Sequence, residues 1–303
     1  MPDFTMTDPT RHFVHCPDAA NGHRMAYWCW GDPEAEHVVL CVHGLTRQGR
    51  DFDVLAQTLC ARAERSGRRL RVVCPDVVGR GDSDWLADPM AYQVPTYAAD
   101  MLTLIGELRA STLDWVGTSM GGLIGMAVCA HLGPSGVRRL VLNDVGPTIE
   151  WVALQRIRQY LGRGGEFDTL QQAADALWAI ASSFGPHTPA QWLALSRPMV
   201  RPVADGSPRL RLHYDPALAV PFRQVTPDSA AQGEALVWQL YDRLALPTLL
   251  LRGADSDLLS VATAEAMTQR GPRARLLQFA GVGHAPTLIA DDQVQAVSDF
   301  LLG

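Results

Sequence analysis

Residues 113–122, LDWVGTSMGG, decide the fold of this chain. A short run typical of a buried strand leads into Gly117-Thr118-Ser119-Met120-Gly121, which matches the pattern G-x-S-x-G, and a Gly-rich helical stretch follows. A strand-to-helix turn this tight leaves room only for small neighbours, and it lifts the serine hydroxyl clear of the sheet. An incidental serine in a glycine-rich turn is the alternative. The strand and the helix on either side favour a nucleophile at Ser119 instead.

Short apolar runs that end at turn residues recur on both sides of this motif. They cover residues 38–42, 70–74, 113–116, 140–142, 248–251 and 275–279. Helical patterns lie between them at residues 52–64, 96–108, 121–131, 262–268 and 293–302. This alternation predicts an α/β fold with a mostly parallel sheet and helices on both faces. Residues 27–30 are expected to add an antiparallel strand.

The alternation stops between about Gly146 and Leu244. Helical patterns at residues 151–160, 169–182, 189–195 and 229–240 follow one another there, separated by Pro and Gly, without an obvious strand. We therefore predict a helical cap, or lid, at residues 147–244, inserted into a core made of residues 1–146 and 245–303. The insertion leaves the sheet after residues 140–142, at the carboxyl end of a strand, where α/β sheets bind ligands. We expect the cap to cover Ser119.

A serine hydroxyl is a weak nucleophile at neutral pH and needs an adjacent base. His284 follows the last predicted strand in a glycine-rich loop, which places it at the carboxyl edge of the sheet. A surface histidine is the alternative, but the other histidines lack a comparable position. We therefore predict that His284 is the base.

A histidine base needs a carboxylate that holds its tautomer. The loop after residues 248–251 offers Asp255 and Asp257. Asp144, after residues 140–142, is a third and less favoured candidate, because that strand ends at the same edge. The residues alone leave all three open.

Acyl transfer also needs two backbone donors directed at the developing oxyanion. The geometry of the turn predicts the amide of Met120 as one donor. His43-Gly44-Leu45 follows the run at residues 38–42, so the amide of Leu45 is expected to be the other. In this interpretation His43 fixes the loop and is not a base.

Composition and charge narrow the possible functions. The chain has 303 residues, of which 47% are hydrophobic and 19% charged, and a net charge of −6. It lacks the clustered basic face of a nucleic-acid-binding protein. Because the sequence contains no lysine, a Schiff base, a P-loop lysine and a Ser-Lys dyad are excluded. No H-E-x-x-H pattern is present, so we expect neither a metal nor a cofactor.

The six cysteines are not spaced as C-x-x-C and are expected to be buried thiols. Residues 1–11 are polar and lack a signal-peptide core, and no apolar stretch is long enough to span a bilayer. We therefore expect a cytoplasmic protein with a small-molecule substrate and no membrane or nucleic-acid partner.

Over nearly its whole length the chain resembles the α/β-hydrolase superfamily. The matching pieces are His43-Gly44, residues 76–83 (DVVGRGDS), 117–122, 253–258 and Gly283-His284, and the order Ser, Asp, His is that of the family. The resemblance implies that Ser119 is the nucleophile, Asp257 the acid and His284 the base, with Leu45 and Met120 forming the oxyanion hole. It favours Asp257 because Asp-Leu-Leu resembles the family's acid followed by apolar residues. The insertion resembles the family's lid.

These features predict a serine hydrolase that cleaves a carboxylic ester of a small, partly apolar substrate through an acyl-enzyme. Lactonases, C–C bond hydrolases, thioesterases and cofactor-free haloperoxidases use the same scaffold, and so do non-catalytic ligand receptors. Epoxide hydrolases and haloalkane dehalogenases have Asp at the position of Ser119 and are disfavoured. Candidate substrate contacts are His43, Arg47, Trp151, Trp178 and Trp192, although the tryptophans could instead pack the cap onto the core.

Overall fold

A computed structural model describes residues 8–18 and 21–303 of the chain. The strands are β1 (Thr10–Cys16), β2 (His23–Gly31), β3 (His37–Val42), β4 (Arg71–Pro75), β5 (Thr112–Thr118), β6 (Arg139–Asn143), β7 (Glu166–Phe167), β8 (Val200–Pro202), β9 (Leu210–Leu212), β10 (Thr248–Gly253) and β11 (Arg275–Phe279). The helices are α1 (Asp53–Arg65), α2 (Val94–Leu108), α3 (Met120–Leu132), α4 (Trp151–Tyr160), α5 (Leu170–Ala181), α6 (Pro189–Ser196), α7 (Ala219–Arg223), α8 (Pro227–Asp242), α9 (Val261–Gln269) and α10 (Asp291–Leu302).

The described residues form a central sheet of eight strands in the order β1-β2-β4-β3-β5-β6-β10-β11. The strands from β4 to β11 in this order run parallel, whereas β2 pairs antiparallel with β4 and β1 pairs antiparallel with β2. The predicted α/β fold with a mostly parallel sheet is therefore confirmed. Strand β1 was not expected, because only Val14 and Cys16 of this edge strand are buried and no apolar run marks it.

The interior of the sheet explains why helices cover both of its faces. Successive side chains of β3 point to opposite faces. Leu40 packs in the apolar cluster that includes residues of α2 and α3, and Cys41 packs in the cluster that includes residues of α1 and α10. Strands buried on both faces carry continuous apolar runs, and for this reason the sequence marked them clearly.

Residues 147–244, where the alternation of strands and helices stops, contain short strands as well as helices. Strands β7, β9 and β8 form a small antiparallel sheet beside α4 to α7. These strands are two or three residues long, too short to give a recognisable alternation of apolar and polar residues. Helix α8, at the end of the predicted cap, packs on α3, and its Trp238 contacts the main core. This last part of residues 147–244 therefore belongs structurally to the layer beside the sheet.

The sequence predicts neither a signal peptide nor a membrane-spanning segment. Residues 1–7 of the polar segment 1–11 lie outside the described residues. Among the helices of the described residues, none combines the length and the apolar character that crossing a bilayer requires.

Candidate active site

Ser119 occupies the sharp turn between β5 and α3. Its backbone has φ 52° and ψ −117°, a strained conformation for a non-glycine residue. A Cβ atom on Gly117 would lie 2.3 Å from the Gly121 carbonyl oxygen, and one on Gly121 would lie 2.0 Å from the Val42 carbonyl oxygen. The two glycines of the motif are therefore required by close backbone packing.

The turn brings the serine hydroxyl to the predicted histidine. Ser119 Oγ lies 2.9 Å from His284 Nε2, and His284 Nδ1 lies 2.8 Å from Asp144 Oδ2. Asp144 is fully buried and also accepts hydrogen bonds from the Gly253 amide (3.0 Å) and the Ser256 hydroxyl (2.7 Å). This hydrogen-bonded chain has the geometry of a nucleophile, a base and an orienting carboxylate.

The structure corrects the preference for Asp257. The Asp257 carboxylate is paired with Arg156 of α4, at 2.6 and 2.9 Å, and its side chain is 40% exposed. The neighbouring Asp255 is also exposed. Neither side chain is bonded to His284. Strand β6 lies between β5 and β10, so the residue that follows β6 is placed between the serine turn and the loop after β10.

The loop after β3 lies beside the nucleophile. A Cβ atom on Gly44 would be 3.7 Å from Ser119 Cβ. The amides of Leu45 and Met120 donate to no other group within the described residues, so both are available to an oxyanion.

His43 fixes this loop through both ring nitrogens. Its Nδ1 donates to the Gly44 carbonyl (2.7 Å), and its Nε2 accepts from the Val77 amide (2.9 Å). Burial, with the nearby positive charges of Arg80 and Arg47, lowers the pKa of His43 to about 3. The ring is therefore neutral, and neither nitrogen is left to contact a substrate.

Two buried side chains that the sequence analysis did not assign support the site. Arg80 donates to the Leu45 carbonyl (2.8 Å) and stacks on Tyr97, 4.8 Å from its ring centroid. The side-chain amide of Asn143 donates to the carbonyl of Pro286 (2.8 Å) in the His284 loop, and the backbone carbonyl of Asn143 accepts from the Ser119 amide (2.9 Å). Arg80 lies within segment 76–83, which carries part of the family resemblance, but the sequence does not indicate that its side chain contacts Leu45.

A cavity of about 330 Å³ opens above Ser119. Its floor includes Ser119, His284 and Leu45 of the core. Residues of the insertion form the opposite wall, and those with apolar or aromatic side chains include Ile157, Tyr160, Phe167, Leu177, Ile180, Phe184, Leu195, Met199, Leu212 and Tyr214. The insertion therefore covers Ser119 with a largely apolar surface.

The three tryptophans that were considered as substrate contacts do not line this cavity. Trp192 is buried in a cluster formed by α5 and α6, and its ring nitrogen donates to the Ala174 carbonyl (2.8 Å). Trp178 packs edge-on against Trp192, and Trp151 stacks with Arg158. These rings therefore contact other residues of the cap, and neither the expected substrate contact nor the alternative of packing onto the core describes them.

Arg47 does line the cavity, but its guanidinium is already occupied. It forms two 2.6 Å hydrogen bonds with Asp51 and a third, of 3.3 Å, with the Leu195 carbonyl of the cap. We interpret Arg47 as a link between the loop after β3 and the cap.

One buried group in the described part of the chain has side chains that could ligate a metal: Cys16, His23 and Asp100. The two ring nitrogens of His23 already contact Asp100 (3.0 Å) and Asp18 (3.1 Å). Although burial opposes it, hydrogen bonds to these carboxylates raise the pKa of His23 above its usual value. An ion-paired histidine therefore accounts for this cluster, and it is not among the residues lining the cavity.

Comparison with known proteins gives consistent results along the whole chain. A family model described as "Alpha/beta hydrolase family" matches residues 39–300. The "3-hydroxybutyrate-oligomer hydrolase" of Cupriavidus necator is 48% identical over 297 residues, which cover 97% of this chain and 98% of that protein. A solved alpha/beta hydrolase from Novosphingobium aromaticivorans is 35% identical, with a TM-score of 0.80 and coverage of 97% and 98% of the two chains. A solved structure of a Rickettsia typhi protein is 27% identical, with a TM-score of 0.83 and coverage of 97% and 99%.

Proposed function

Because the chain belongs to the alpha/beta hydrolase family and is a hydrolase of ester bonds, we propose that it cleaves short oligomers of 3-hydroxybutyrate through an acyl-enzyme on Ser119. The observation that carries the mechanism is the hydrogen-bonded chain from Ser119 through His284 to Asp144, on the floor of a covered cavity. The substrate class is supported by the 48% identity to the Cupriavidus necator enzyme over almost the whole of both chains.

The first half of the proposed reaction forms the acyl-enzyme. Ser119 Oγ attacks the carbonyl carbon of the ester while its proton passes to His284 Nε2. The carbonyl oxygen becomes an oxyanion, which the amides of Leu45 and Met120 stabilise by hydrogen bonds. When the C–O bond breaks, the leaving alcohol takes the proton from His284.

The second half returns the enzyme to its starting state. Water enters, loses a proton to His284 and attacks the acyl carbon, and Ser119 leaves with that proton as the carboxylic acid forms. Asp144 supports both halves, because its carboxylate accepts a hydrogen bond from Nδ1–H of His284 and stabilises the imidazolium while remaining ionised. Its burial and its hydrogen bonds from Gly253 and Ser256 fix the orientation of this carboxylate.

The cavity is suited to a short oligoester. Each unit of 3-hydroxybutyrate carries a methyl group and an ester, so an oligomer presents mainly apolar surface with few polar atoms. A volume of about 330 Å³ is at the lower end of the range for small-molecule sites. The cover formed by the cap favours a short chain that fits inside the cavity over a polymer surface.

We also propose that the enzyme acts in the cytoplasm. The described residues include all six cysteines as free thiols, four of them buried, as suits a reducing compartment. Intracellular hydrolysis of small oligomers is compatible with this location.

Hydrolysis of the dimer, trimer and tetramer of (R)-3-hydroxybutyrate tests the proposal, with release of monomer measured by chromatography. We expect turnover by the wild type, and a loss of about 10⁶ in kcat for Ser119→Ala. Activity on p-nitrophenyl acetate without activity on the oligomers would disprove the substrate class. Full activity of Ser119→Ala would disprove the nucleophile, and a folded wild type inactive on both substrates would favour a ligand receptor.

A further inference from the structure

The arginine side chains that line the cavity differ in whether a carboxylate is paired with them. Among the described residues, three arginines line the cavity: Arg47, Arg156 and Arg163. Arg47 makes a bidentate pair with Asp51, and Arg156 makes one with Asp257. A guanidinium whose fork is filled by a carboxylate has little capacity left for an anionic ligand.

Arg163 differs from the other two. Its side chain is exposed, and the guanidinium makes no hydrogen bond or ion pair with any residue that the structure describes; the backbone amide donates to the Tyr160 carbonyl (3.0 Å). The carboxylate of Asp51 also lies on the wall, but it is already bound by Arg47. The cavity therefore has one arginine whose charge is not balanced within the described structure.

The loop between α4 and β7 presents this arginine at the cavity in the segment Gly162-Arg163-Gly164-Gly165. Gly162 has φ +73°, and a Cβ atom there would lie 2.6 Å from Ala219 Cβ, so the loop is anchored closely on α7. A Cβ atom on Gly164 would meet nothing within 4 Å, so space remains next to Arg163. Arg163, Gly164 and Gly165 all line the cavity, so this loop forms part of the wall that a bound ligand would meet.

We infer that Arg163 binds the free carboxylate end of the oligomer; this inference rests on the proposed function. A linear oligomer of a hydroxy acid has one carboxylate, and it lies on the alcohol side of every ester bond in the chain. An unpaired guanidinium beside a mostly apolar wall is suited to this group, because charge-assisted hydrogen bonds are strong and geometrically specific. The apolar wall then accommodates the methyl-bearing units between Arg163 and Ser119.

Anchoring the carboxylate end has a consequence for the products. With that end held at a fixed distance from Ser119, one particular ester bond is presented to Oγ. Water is added across this bond, and the alcohol product is a hydroxy acid of fixed length that carries the original carboxylate. Cleavage is therefore counted from the carboxylate end of the oligomer.

The test compares one oligomer in two charge states. The trimer of 3-hydroxybutyrate and its methyl ester are hydrolysed by the wild type, Arg163→Gln, Arg163→Lys and Arg68→Gln. Arg68 is a matched control, because it is exposed and lies in the loop before β4, at the opposite edge of the sheet from Ser119. We expect Arg163→Gln to lose roughly tenfold in kcat/KM on the free acid, the size of one charge-assisted hydrogen bond, and little on the methyl ester.

The other variants and the products complete the test. Arg163→Lys should recover part of the preference for the free acid, and Arg68→Gln should behave as the wild type on both substrates. With a longer oligomer, early products of the wild type should contain a carboxyl-terminal fragment of one length, and those of Arg163→Gln a mixture. Equal loss on both trimers, or no loss on either, would overturn the role of Arg163 while leaving the proposed function intact. A wild type that cleaves neither trimer would overturn the proposed substrate class, and this inference with it.

Discussion

Replacing Asp144 by Asn changes the charge and hydrogen-bonding pattern at the centre of the site with almost no change in shape. In the wild type the fully buried carboxylate accepts from His284 Nδ1, the Gly253 amide and the Ser256 hydroxyl. The amide oxygen of Asn can still accept from Gly253, and its NH₂ group then faces His284. An NH₂ donor at Nδ1 favours the tautomer with its proton on Nε2. That proton points at Ser119 Oγ, so the ring is no longer able to accept the serine proton.

The expected loss in kcat is on the order of 10⁴, the effect of forcing a base histidine into the wrong tautomer. It corresponds to about 5.4 kcal/mol in activation free energy. Asp257→Asn is the matched control, because it removes only the partly exposed pair with Arg156. A pair of this kind contributes about 0.2–1 kcal/mol to stability, so the variant should fold. Its kcat on the neutral ester p-nitrophenyl butyrate should hardly change, because Asp257 makes no bond to His284.

Initial rates on p-nitrophenyl butyrate and on the trimer measure both variants, and circular dichroism with thermal unfolding checks that they are folded. A folded Asp144→Asn enzyme with nearly wild-type kcat would refute the assignment of Asp144. If Asp257→Asn were then inactive, the acid would come from the loop after β10, as the resemblance implied.

Three further predictions concern the cap and the loop after β3. Trp192→Ala should lower the free energy of unfolding by about 3–5 kcal/mol, because the ring is buried within the cap; urea denaturation measures this, and an altered chain-length preference would contradict the position of the ring. Leu212→Trp should narrow the cavity and reduce kcat/KM for the tetramer more than for the dimer; an unchanged ratio would show that Leu212 does not limit the substrate. The buried neutral His43 has a folded pKa of about 3, against 6.5 for an ordinary histidine. Its contribution to stability is complete above pH 6.5 and decreases by up to about 5 kcal/mol as pH falls towards 3; His43→Asn should flatten this slope in denaturation measured across that range, and an unchanged slope would contradict the assigned neutral state.

The sequence predicted those parts of the fold in which local pattern and burial agree. The strand at residues 38–42 is buried on both faces and therefore apolar throughout, and Gly117 and Gly121 mark a turn that no larger residue fits. Strands β7 to β9 escaped prediction because they are short and are stabilised by pairing within the cap. Their existence depends on contacts between distant residues, which no local pattern records.

The carboxylate shows a different limit. Spacing along the chain placed Asp144, Asp255 and Asp257 at the correct edge of the sheet, but spacing does not specify where a side chain points. The order of the strands, with β6 between β5 and β10, brings Asp144 to His284. The cap tryptophans present the same difficulty, since a helix of apolar residues can turn its large rings to the cavity or to its neighbours. No sequence pattern marks Arg163 as a ligand-binding residue. It differs from Arg47 and Arg156 only because those two arginines form ion pairs, which are known from the structure alone.

The central claim, that Ser119 is an activated nucleophile in the site with His284 and Asp144, is tested most directly by covalent labelling with a fluorophosphonate. Peptide mapping by mass spectrometry after labelling should locate the adduct on Ser119. Labelling should be absent in Ser119→Ala, strongly slowed in Asp144→Asn and unchanged in Asp257→Asn. An adduct on a different serine, or a folded wild type that the reagent does not label, would contradict the account.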